Sequence, residues 1–256
     1  MMHMQYQMNL MSWRDFQRAV NQNRFVLLPV GSLEQHGPHL PLGTDTFTVR
    51  ELAERVAAKT SGIVAPEICY GFKPQPGSSA GNNFAGTCSL DGSTLTALVR
   101  DLVRELVRHK VRRIMILDGH YENGLFINEG VELALRDLDA QKLVKVVIVR
   151  WFDLIPSSVF IRLFGKDFEG MMYEHASKVE TSLIMAMNES MVQRHRMKSD
   201  RPRVRKSYTV LPESSEFIPK SGVLSSVFPS STKIGVELLN CAVKEIVKIV
   251  RIEFPK

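Results

Sequence analysis

Four short apolar runs, separated by longer amphipathic stretches, limit the folds that this 256-residue chain can adopt. Such runs are typical of parallel strands, which are buried on both faces and are therefore almost continuously apolar. They lie at 25–30, 62–65, 113–117 and 144–149. The stretches in which apolar residues recur at helical spacing are 46–61, 93–109, 123–138, 180–187 and 234–252. This alternation predicts an α/β fold, with a single three-layer domain over residues 1–256 and a mostly parallel central sheet.

The positive charge of the chain is confined to one segment. The sequence has 33 basic and 27 acidic side chains, and residues 194–206 contain seven of the basic residues and one acid. The net charge of +6 therefore belongs to this segment, and the rest of the chain is neutral. Pro202 interrupts the segment and no Phe, Tyr or Trp lies within it, so it lacks a surface on which bases could stack. We expect a solvated loop or a contact between subunits there, and no nucleic-acid partner.

Neither a membrane span nor a secretion signal is predicted. No run of about 18 uncharged apolar residues occurs, and the first residues lack the charged and apolar regions of a signal peptide. The three cysteines, Cys69, Cys88 and Cys241, are too scattered to form zinc-type pairs and indicate a reducing compartment. We therefore expect a cytoplasmic protein with no membrane partner.

Acidic and imidazole side chains follow two of the predicted strands. Glu34 and His36 come shortly after the first strand, and His120 and Glu122 come after the third. The members of each pair are two residues apart, so in extended backbone both side chains project to the same side. Ligands of open parallel sheets bind beyond the carboxyl ends of the strands. We therefore expect the two pairs to face a common site.

Asp45 adds a third carboxylate close to the first of these loops. Two imidazoles and three carboxylates suit Zn²⁺ or Mn²⁺, and five ligands suit two metal ions that share one carboxylate. Asp45 is the candidate for the shared ligand because it stands apart from both pairs. In the alternative interpretation Asp45 or Thr44 caps the helix that follows. His39 lies in the same loop without a paired carboxylate, and we expect it to be structural or to support the ligands.

Two longer motifs surround these residues. The first, LPVGSLEQHG, runs from Leu28 to Gly37 and is followed by Asp45, and the second, GHYEN, runs from Gly119 to Asn123. On these motifs the chain resembles the creatininase (creatinine amidohydrolase) family. The first motif is similar to a pattern shared by the whole family, and the second is similar to a narrower form within it. Further agreeing stretches extend the resemblance over most of the chain.

The resemblance implies a two-metal hydrolase of cyclic amides, with zinc or manganese ions as cofactors. It assigns Glu34, Asp45 and His120 to one metal ion. It assigns His36, Asp45 and Glu122 to the other. It also implies a small-molecule substrate and assembly as a homo-hexamer.

The resemblance further implies how the reaction proceeds. A hydroxide held by the two metal ions would attack the lactam carbonyl. His175 would donate a proton to the leaving nitrogen, because an imidazole titrates near neutral pH. Glu122 is placed with His175 among the catalytic residues, and either Glu174 or Glu180 would orient the imidazole.

Five positions are expected to contact the substrate: Ser78, Tyr121, Phe152, Met171 and Met172. Where creatininase has two tryptophans, this chain has Phe152 and Met171, and where the family has an acidic residue it has Met172. Methionine fills irregular apolar space, but it cannot accept a hydrogen bond from the creatinine imino group as a carboxylate does. The loss of such a contact can change selectivity by a large factor.

Three functions are compatible with this sequence. The first is the hydrolysis of creatinine to creatine, which the GHYEN motif favours. The second is the hydrolysis of a different cyclic amide, or of a formamide as in formamidopyrimidine deformylation, which Met171 and Met172 favour. The third is a metal-dependent binding or accessory protein without turnover, against which the complete ligand set and His175 argue.

Overall fold

A four-stranded parallel sheet forms the centre of the fold. The computed structural model describes residues 6–75, 81–138, 144–166, 168–200, 208, 211 and 219–255. The strands are β1 (Val26–Val30), β2 (Ile63–Val64), β3 (Arg113–Asp118) and β4 (Lys145–Arg150). They are arranged in the order β2-β1-β3-β4, and each neighbouring pair is parallel. The predicted α/β fold with a parallel central sheet is confirmed.

Seven α-helices of the described residues pack around the sheet. They are α1 (Trp13–Asn21), α2 (Thr44–Thr60), α3 (Gly92–Arg108), α4 (Gly124–Asp137), α5 (Ser157–Phe164), α6 (Lys178–Asn188) and α7 (Thr232–Glu253). Every predicted helix and strand forms within two residues of its expected ends. Helices α1 and α5 lie outside the stretches for which the sequence predicts structure. Within the described part of the chain no helix is long and apolar enough to cross a membrane.

The side chains of the central strands point alternately into two cores. Leu27 and Met115 belong to the core shared with α2, α6 and α7. Leu28 and Ile116 belong to the core shared with α3 and α4, against which residues of α1 also pack. Because both faces of the sheet are covered, the strands are apolar at nearly every position, and the fold has the expected three layers.

The register of the central strands brings the two predicted site loops together. Val30, the last residue of β1, pairs with Asp118, the last residue of β3. The backbone N–H of Gly119 then donates to the carbonyl of Val30 at 2.9 Å. A Cβ atom on Gly31 would lie 2.5 Å from the Cα atom of Thr46, so a glycine is needed where the start of α2 crosses this loop. The loops after β1 and β3 and the first turn of α2 therefore meet at one point.

Helices α6 and α7 approach each other with their backbones almost in contact. A Cβ atom placed on Gly235 of α7 would lie 1.8 Å from the backbone oxygen of Ser182 in α6. No side-chain rotation can relieve an overlap with backbone. The position therefore admits only glycine unless the two helices move apart.

We predict that Gly235→Ala lowers the free energy of unfolding by about 1–3 kcal/mol, the usual cost of overpacking a well-filled interface. For a chain of this size that corresponds to a melting temperature lower by roughly 2–4 °C per kcal/mol. Gly124→Ala is the matched control, because its nearest neighbouring atoms would lie 3.8 Å away, an ordinary contact. Thermal and urea unfolding measure both. Equal stability of the two variants would contradict the close approach of the helices.

Candidate metal centre and pocket

A pocket lies beyond the carboxyl ends of the strands, where the sequence predicts the site. The predicted residues among those that line it are Glu34, Asp45, His120, Tyr121, Glu122, Phe152, Met171, Met172 and His175. His36 lies behind this wall and is completely buried. Ser78, which was expected to contact substrate, falls outside the described residues. The structure thus brings together the side chains from the loops after β1 and β3.

Asp45 lies between two buried imidazoles. Its Oδ1 atom is 3.1 Å from Nε2 of His36, and its Oδ2 atom is 3.1 Å from Nδ1 of His120. Asp45 is the second residue of α2, whose N-cap is Gly43, so neither Asp45 nor Thr44 caps the helix. A carboxylate with one oxygen towards each imidazole has the placement that a ligand shared by two metal ions requires. That role of Asp45 stays a prediction.

A backbone carbonyl binds the other ring nitrogen of each imidazole. Nδ1 of His36 is 3.0 Å from the carbonyl of Glu34, and Nε2 of His120 is 2.9 Å from the carbonyl of Phe72. When these nitrogens carry the proton and donate it, the nitrogen that faces Asp45 is left with a lone pair. Metal-binding histidines are commonly oriented in this way, by donating their second N–H to a carbonyl.

The carboxylates around the imidazoles favour a positive charge at this point. Oε2 of Glu34 is 3.3 Å from Nδ1 of His120, and Oε2 of Glu122 is 3.4 Å from its Nε2. Although burial disfavours the charged imidazole, its bond to Asp45 and these two carboxylates raise the pKa of His120 to about 10. Burial likewise opposes charge on His36, but its acidic neighbours raise that pKa well above its usual value. Divalent cations can take the place of these protons, so the donor set fits metal ions.

Two groups of side chains hold potential ligand atoms within 4.8 Å of one another. The groups are Glu34, Asp45 and His120, and His36, His175 and Glu180. The first is the set that the family resemblance assigns to one metal ion. The second shares only His36 with the set assigned to the other, because Oε2 of Glu180 lies 3.6 Å from Nε2 of His36. Among the described residues Glu122 belongs to neither group and lies beside His120.

His175 is buried next to His36 and bound to Gln35. Its Nε2 atom is 2.8 Å from the backbone carbonyl of Gln35 and 2.9 Å from the side-chain nitrogen of the same residue. Its ring centroid is 4.4 Å from that of His36. Burial, reinforced by the charge on His36, holds the pKa of His175 well below its usual value. In the metal-free protein these surroundings therefore favour the neutral imidazole, and the role of His175 as proton donor stays a prediction.

Gln35 is a site residue that the sequence analysis did not single out. Its side-chain oxygen accepts from the backbone N–H of Gly37 at 2.8 Å, and its side-chain nitrogen donates to the carbonyl of Gly222 at 2.9 Å. These bonds fix the amide that contacts His175. The only signal in the sequence is its place between Glu34 and His36.

The two carboxylates considered for orienting His175 accept hydrogen bonds from backbone N–H groups of residues near it. Oε2 of Glu174 accepts from the N–H of Val179 at 3.0 Å. Oε2 of Glu180 accepts from the N–H of Ala176 at 2.6 Å. Both bonds hold the turn between His175 and α6. Burial raises the pKa of Glu174 well above its usual value.

Asp118 and Asn123, which were not assigned as site residues, hold the loop after β3. Oδ1 of Asp118 accepts from the backbone N–H of His120 at 3.1 Å and from the Asn123 amide at 3.2 Å. Asn123 also accepts from the N–H of Phe72 at 2.8 Å and donates to the carbonyl of Gly31 at 3.1 Å. One amide thus connects three loops around the site. Burial raises the pKa of Asp118 to about 7.

Aromatic and methionine side chains form the outer wall of the pocket. The rings of Tyr121 and Phe152 stack with their centroids 6.0 Å apart and an interplanar angle of 27°. The guanidinium carbon of Arg150 lies 5.9 Å from the first centroid and 5.7 Å from the second. Met171 is partly buried against the core, and Met172 is half exposed. The wall therefore offers flat and apolar surface rather than a carboxylate.

The described part of the basic segment at 194–206 lies away from the pocket. Residues 194–200 are described, and none of them lines the pocket. Arg194 forms an ion pair with Glu189 at 2.5 Å on the surface. Residues 201–206 lie outside the described residues.

Carboxylates and imidazoles gathered beyond the carboxyl ends of a parallel α/β sheet are the arrangement that a metal-binding site requires. A family model for creatininase, described as creatinine amidohydrolase, matches residues 9–250. The chain therefore belongs to the creatininase family.

Individual relatives agree with this assignment. A creatinine amidohydrolase from Pseudomonas putida is 38% identical over 249 residues, which cover 96% of each chain. The solved manganese form of a creatininase is 37% identical and superposes with a TM-score of 0.95, over 98% of this chain and 99% of the other. A zinc–zinc form of a creatininase variant is 36% identical, with a TM-score of 0.94 over 98% of both chains. The relatives therefore support divalent metal ions as cofactors.

We predict that Gly81→Ala lowers metal affinity by about ten- to a hundredfold, the usual effect of disturbing a residue that orients a ligand. A Cβ atom on Gly81 would lie 2.3 Å from Oε1 of Glu34, which is buried and must turn away. Metal content after dialysis against a weak chelator, measured by mass spectrometry, reports the change. Asn82→Ala is the control, because this neighbouring side chain is exposed. Undiminished metal content in the Gly81 variant would argue against Glu34 as a ligand.

We also predict an acid-sensitive contribution to stability from His39. Burial and the charge on His36 lower its pKa to about 4, and its Nε2 atom lies 2.9 Å from the hydroxyl of Thr181. A histidine whose pKa is depressed by folding stabilises the protein fully above the unfolded value of about 6.5. That contribution is lost as the pH falls from about 6.5 to about 4.

Urea unfolding of the metal-free protein at several pH values checks this expectation. The free energy of unfolding of the wild type should fall more steeply through this window than that of His39→Gln, which can still bond to Thr181. Parallel curves for the two proteins would refute it.

Proposed function

We propose that this protein hydrolyses a cyclic amide, and that creatinine, which is converted to creatine, is its substrate. The single observation that carries the proposal is the buried carboxylate of Asp45 between His36 and His120, on the floor of a pocket with His175. Similarity to a creatinine amidohydrolase along 96% of the chain supports the choice of substrate.

The five predicted ligands supply the binding groups for two divalent metal ions. Glu34, Asp45 and His120 would hold one ion, and His36, Asp45 and Glu122 the other. Bound ions lower the pKa of water and polarise an amide carbonyl, which supplies the nucleophile and stabilises the negative charge that develops on the oxygen. Glu180 competes with Glu122 for the place beside His36, because it lies 3.6 Å from that imidazole.

His175 moves the proton that the reaction requires. An amide nitrogen is a poor leaving group until it gains a proton. A neutral imidazole at this position would accept a proton from the attacking water and then pass it to the ring nitrogen as the C–N bond breaks. Depending on the tautomer, Nε2 of His175 donates to the Gln35 carbonyl or accepts from the Gln35 amide, and either bond limits rotation of the ring. The imidazole acts first as a base and then as an acid.

The stacked rings of Tyr121 and Phe152 fit a planar substrate. A flat ring such as that of creatinine can lie against an aromatic face and bury its apolar surface there. Arg150, which stacks on the same two rings and is paired with Asp153, fixes the orientation of this wall. The aromatic wall therefore determines the plane in which the amide carbonyl enters the pocket.

The decisive experiment for this proposal is a creatinine assay. Purified protein loaded with Mn²⁺ or Zn²⁺ should form creatine from creatinine, and treatment with a chelator should abolish the activity. Creatine is measured directly, so that loss of substrate alone is not scored as turnover. Absence of creatine formation by protein that contains both metal ions would refute the proposed substrate.

We predict that His175→Ala lowers kcat by about 10² or more, the scale of general acid–base groups, while metal content stays near that of the wild type. Mass spectrometry of bound metal accompanies the kinetic measurement. If His175 instead binds a metal ion together with His36 and Glu180, the variant loses about half of its metal. Wild-type turnover in the variant would remove His175 from the reaction.

A second substrate class is favoured by Met171 and Met172. These side chains give the pocket an apolar wall without the carboxylate that could bond to the creatinine imino group. A different cyclic amide, or a formamide of the formamidopyrimidine type, would not need that bond. Release of formate from a formamide, with no turnover of creatinine, would select this candidate. Metal binding without either activity would support an accessory protein.

Assembly and location complete the proposal. We propose a homo-hexamer that works in the cytoplasm on a small molecule, with no nucleic-acid partner. The basic segment at 194–206 would lie in a loop or between subunits. Light scattering after size-exclusion chromatography measures the assembly. A variant with this segment neutralised should change assembly or solubility more than turnover.

A further inference from the structure

A buried lysine next to the pocket has no part in the proposed reaction. Lys178 is the first residue of α6, and its side chain is only 6% exposed. Its Nζ atom lies 3.0 Å from Oε2 of Glu169, whose side chain is 30% exposed. The same nitrogen lies 6.0 Å from the ring centroid of Phe164 and 5.7 Å from that of Phe168.

This is an unfavourable place for an unpaired lysine. Burial removes the ammonium group from water, and the first turn of a helix carries a partial positive charge that repels it. The Glu169 carboxylate and the faces of two phenylalanine rings offset these costs. The position of Lys178 is therefore stable only while Glu169 and Phe168 remain against it.

Two partners of Lys178, Phe168 and Glu169, belong to the stretch that carries the methionine wall. We call residues 168–173 the covering segment; it begins at Phe168 and contains Glu169, Met171 and Met172. Both methionines line the pocket. The ring of Phe168 also stacks on that of Phe160 at 4.9 Å, which adds an apolar anchor in α5.

The backbone near the covering segment offers little constraint of its own. Gly165 and Gly170 have positive φ angles of 88° and 95°, and a Cβ atom on either would meet nothing within 4 Å. The hydrogen bonds from Tyr173 to Gly170 and from Glu174 to Met171 are local. They shape the turn. Three other contacts tie it to the rest of the protein: the hydroxyl of Ser177 lies 3.5 Å from the carbonyl of Tyr173, Phe168 and Met171 pack against the core, and Lys178 pairs with Glu169.

Lys178 is itself firmly placed on the other side. Its backbone N–H donates to the carbonyl of Ser226 at 3.1 Å. The backbone N–H of the next residue, Val179, donates to Glu174, so the start of α6 is fixed to the residue that precedes His175. The ion pair between Lys178 and Glu169 therefore connects the covering segment to the elements that carry the reacting groups.

We propose that Lys178 and Glu169 are positioning residues that hold Met171 and Met172 over the pocket, and so determine how closely the substrate is enclosed. The part that concerns substrate rests on the proposed hydrolysis of a cyclic amide. The part that concerns the covering segment does not, and it can be tested without turnover.

The test removes the charge of Lys178 and leaves its apolar bulk. Lys178→Met and Glu169→Gln should each accelerate amide hydrogen exchange at residues 168–173 on the order of tenfold relative to the wild type, because the segment opens more often. The double variant should exchange little faster than either single one, since both disrupt the same pair. Lys248→Met, which breaks an exposed lysine–glutamate pair on α7, is the matched control and should leave this exchange unchanged.

Kinetics give the second readout. With creatinine as substrate, or with the amide that replaces it in the assays above, KM should rise severalfold, while kcat changes less. If the wild type hydrolyses neither creatinine nor a formamide, the proposed function fails, and hydrogen exchange still decides the role of the ion pair.

Wild-type exchange at 168–173 in a folded Lys178→Met variant would overturn the proposal. Should that variant fail to fold, the same result in Glu169→Gln would overturn it, because that substitution lies at the partly exposed end of the pair. A loss of kcat at unchanged KM and exchange would also count against it.

Discussion

The structure depends on one electrostatic constraint: several carboxylates surround two buried imidazoles, with Asp45 between them. Such a cluster is stable only when positive charge is present, as protons or as metal ions. Asp45 can occupy this place because β1 and β3 end side by side and the first turn of α2 crosses above them. The register of Val30 with Asp118 and the close approach at Gly31 are thus requirements of the site as much as of the fold.

The fold and most of the site could be predicted because their signals are local. Apolar runs define buried strands, and the polar residues after the first and third strands indicate a common site at the carboxyl ends of a parallel sheet. The proximity of Glu34, His36, Asp45 and His120 was predictable on the same ground. The family resemblance extended this to His175, Met171 and Met172, which come from a later part of the chain.

What escaped prediction depends on contacts between distant segments. Gln35 fixes His175 across 140 positions of sequence, and Asn123 bonds to Phe72 across 51. An amide side chain gives no pattern that reveals such a partner. The place of Glu180 beside His36 likewise follows from how the turn before α6 packs. In a buried polar cluster, the direction of each side chain depends on hydrogen bonds to distant segments. No pattern in the sequence encodes these bonds.

The backbone contact between Gly235 and Ser182 gives the last helix of the chain a further significance. Helix α6 begins at the pocket with Lys178 and Glu180, and it rests along its length on α7. At this crossing the two backbones are too close for side chains to adjust between them. A shift of α7 therefore displaces α6 as a rigid body. Helix α7 thus limits how far the wall of the pocket formed by α6 can move. Substitutions in α7 would therefore change the shape of the pocket, although they lie far from it.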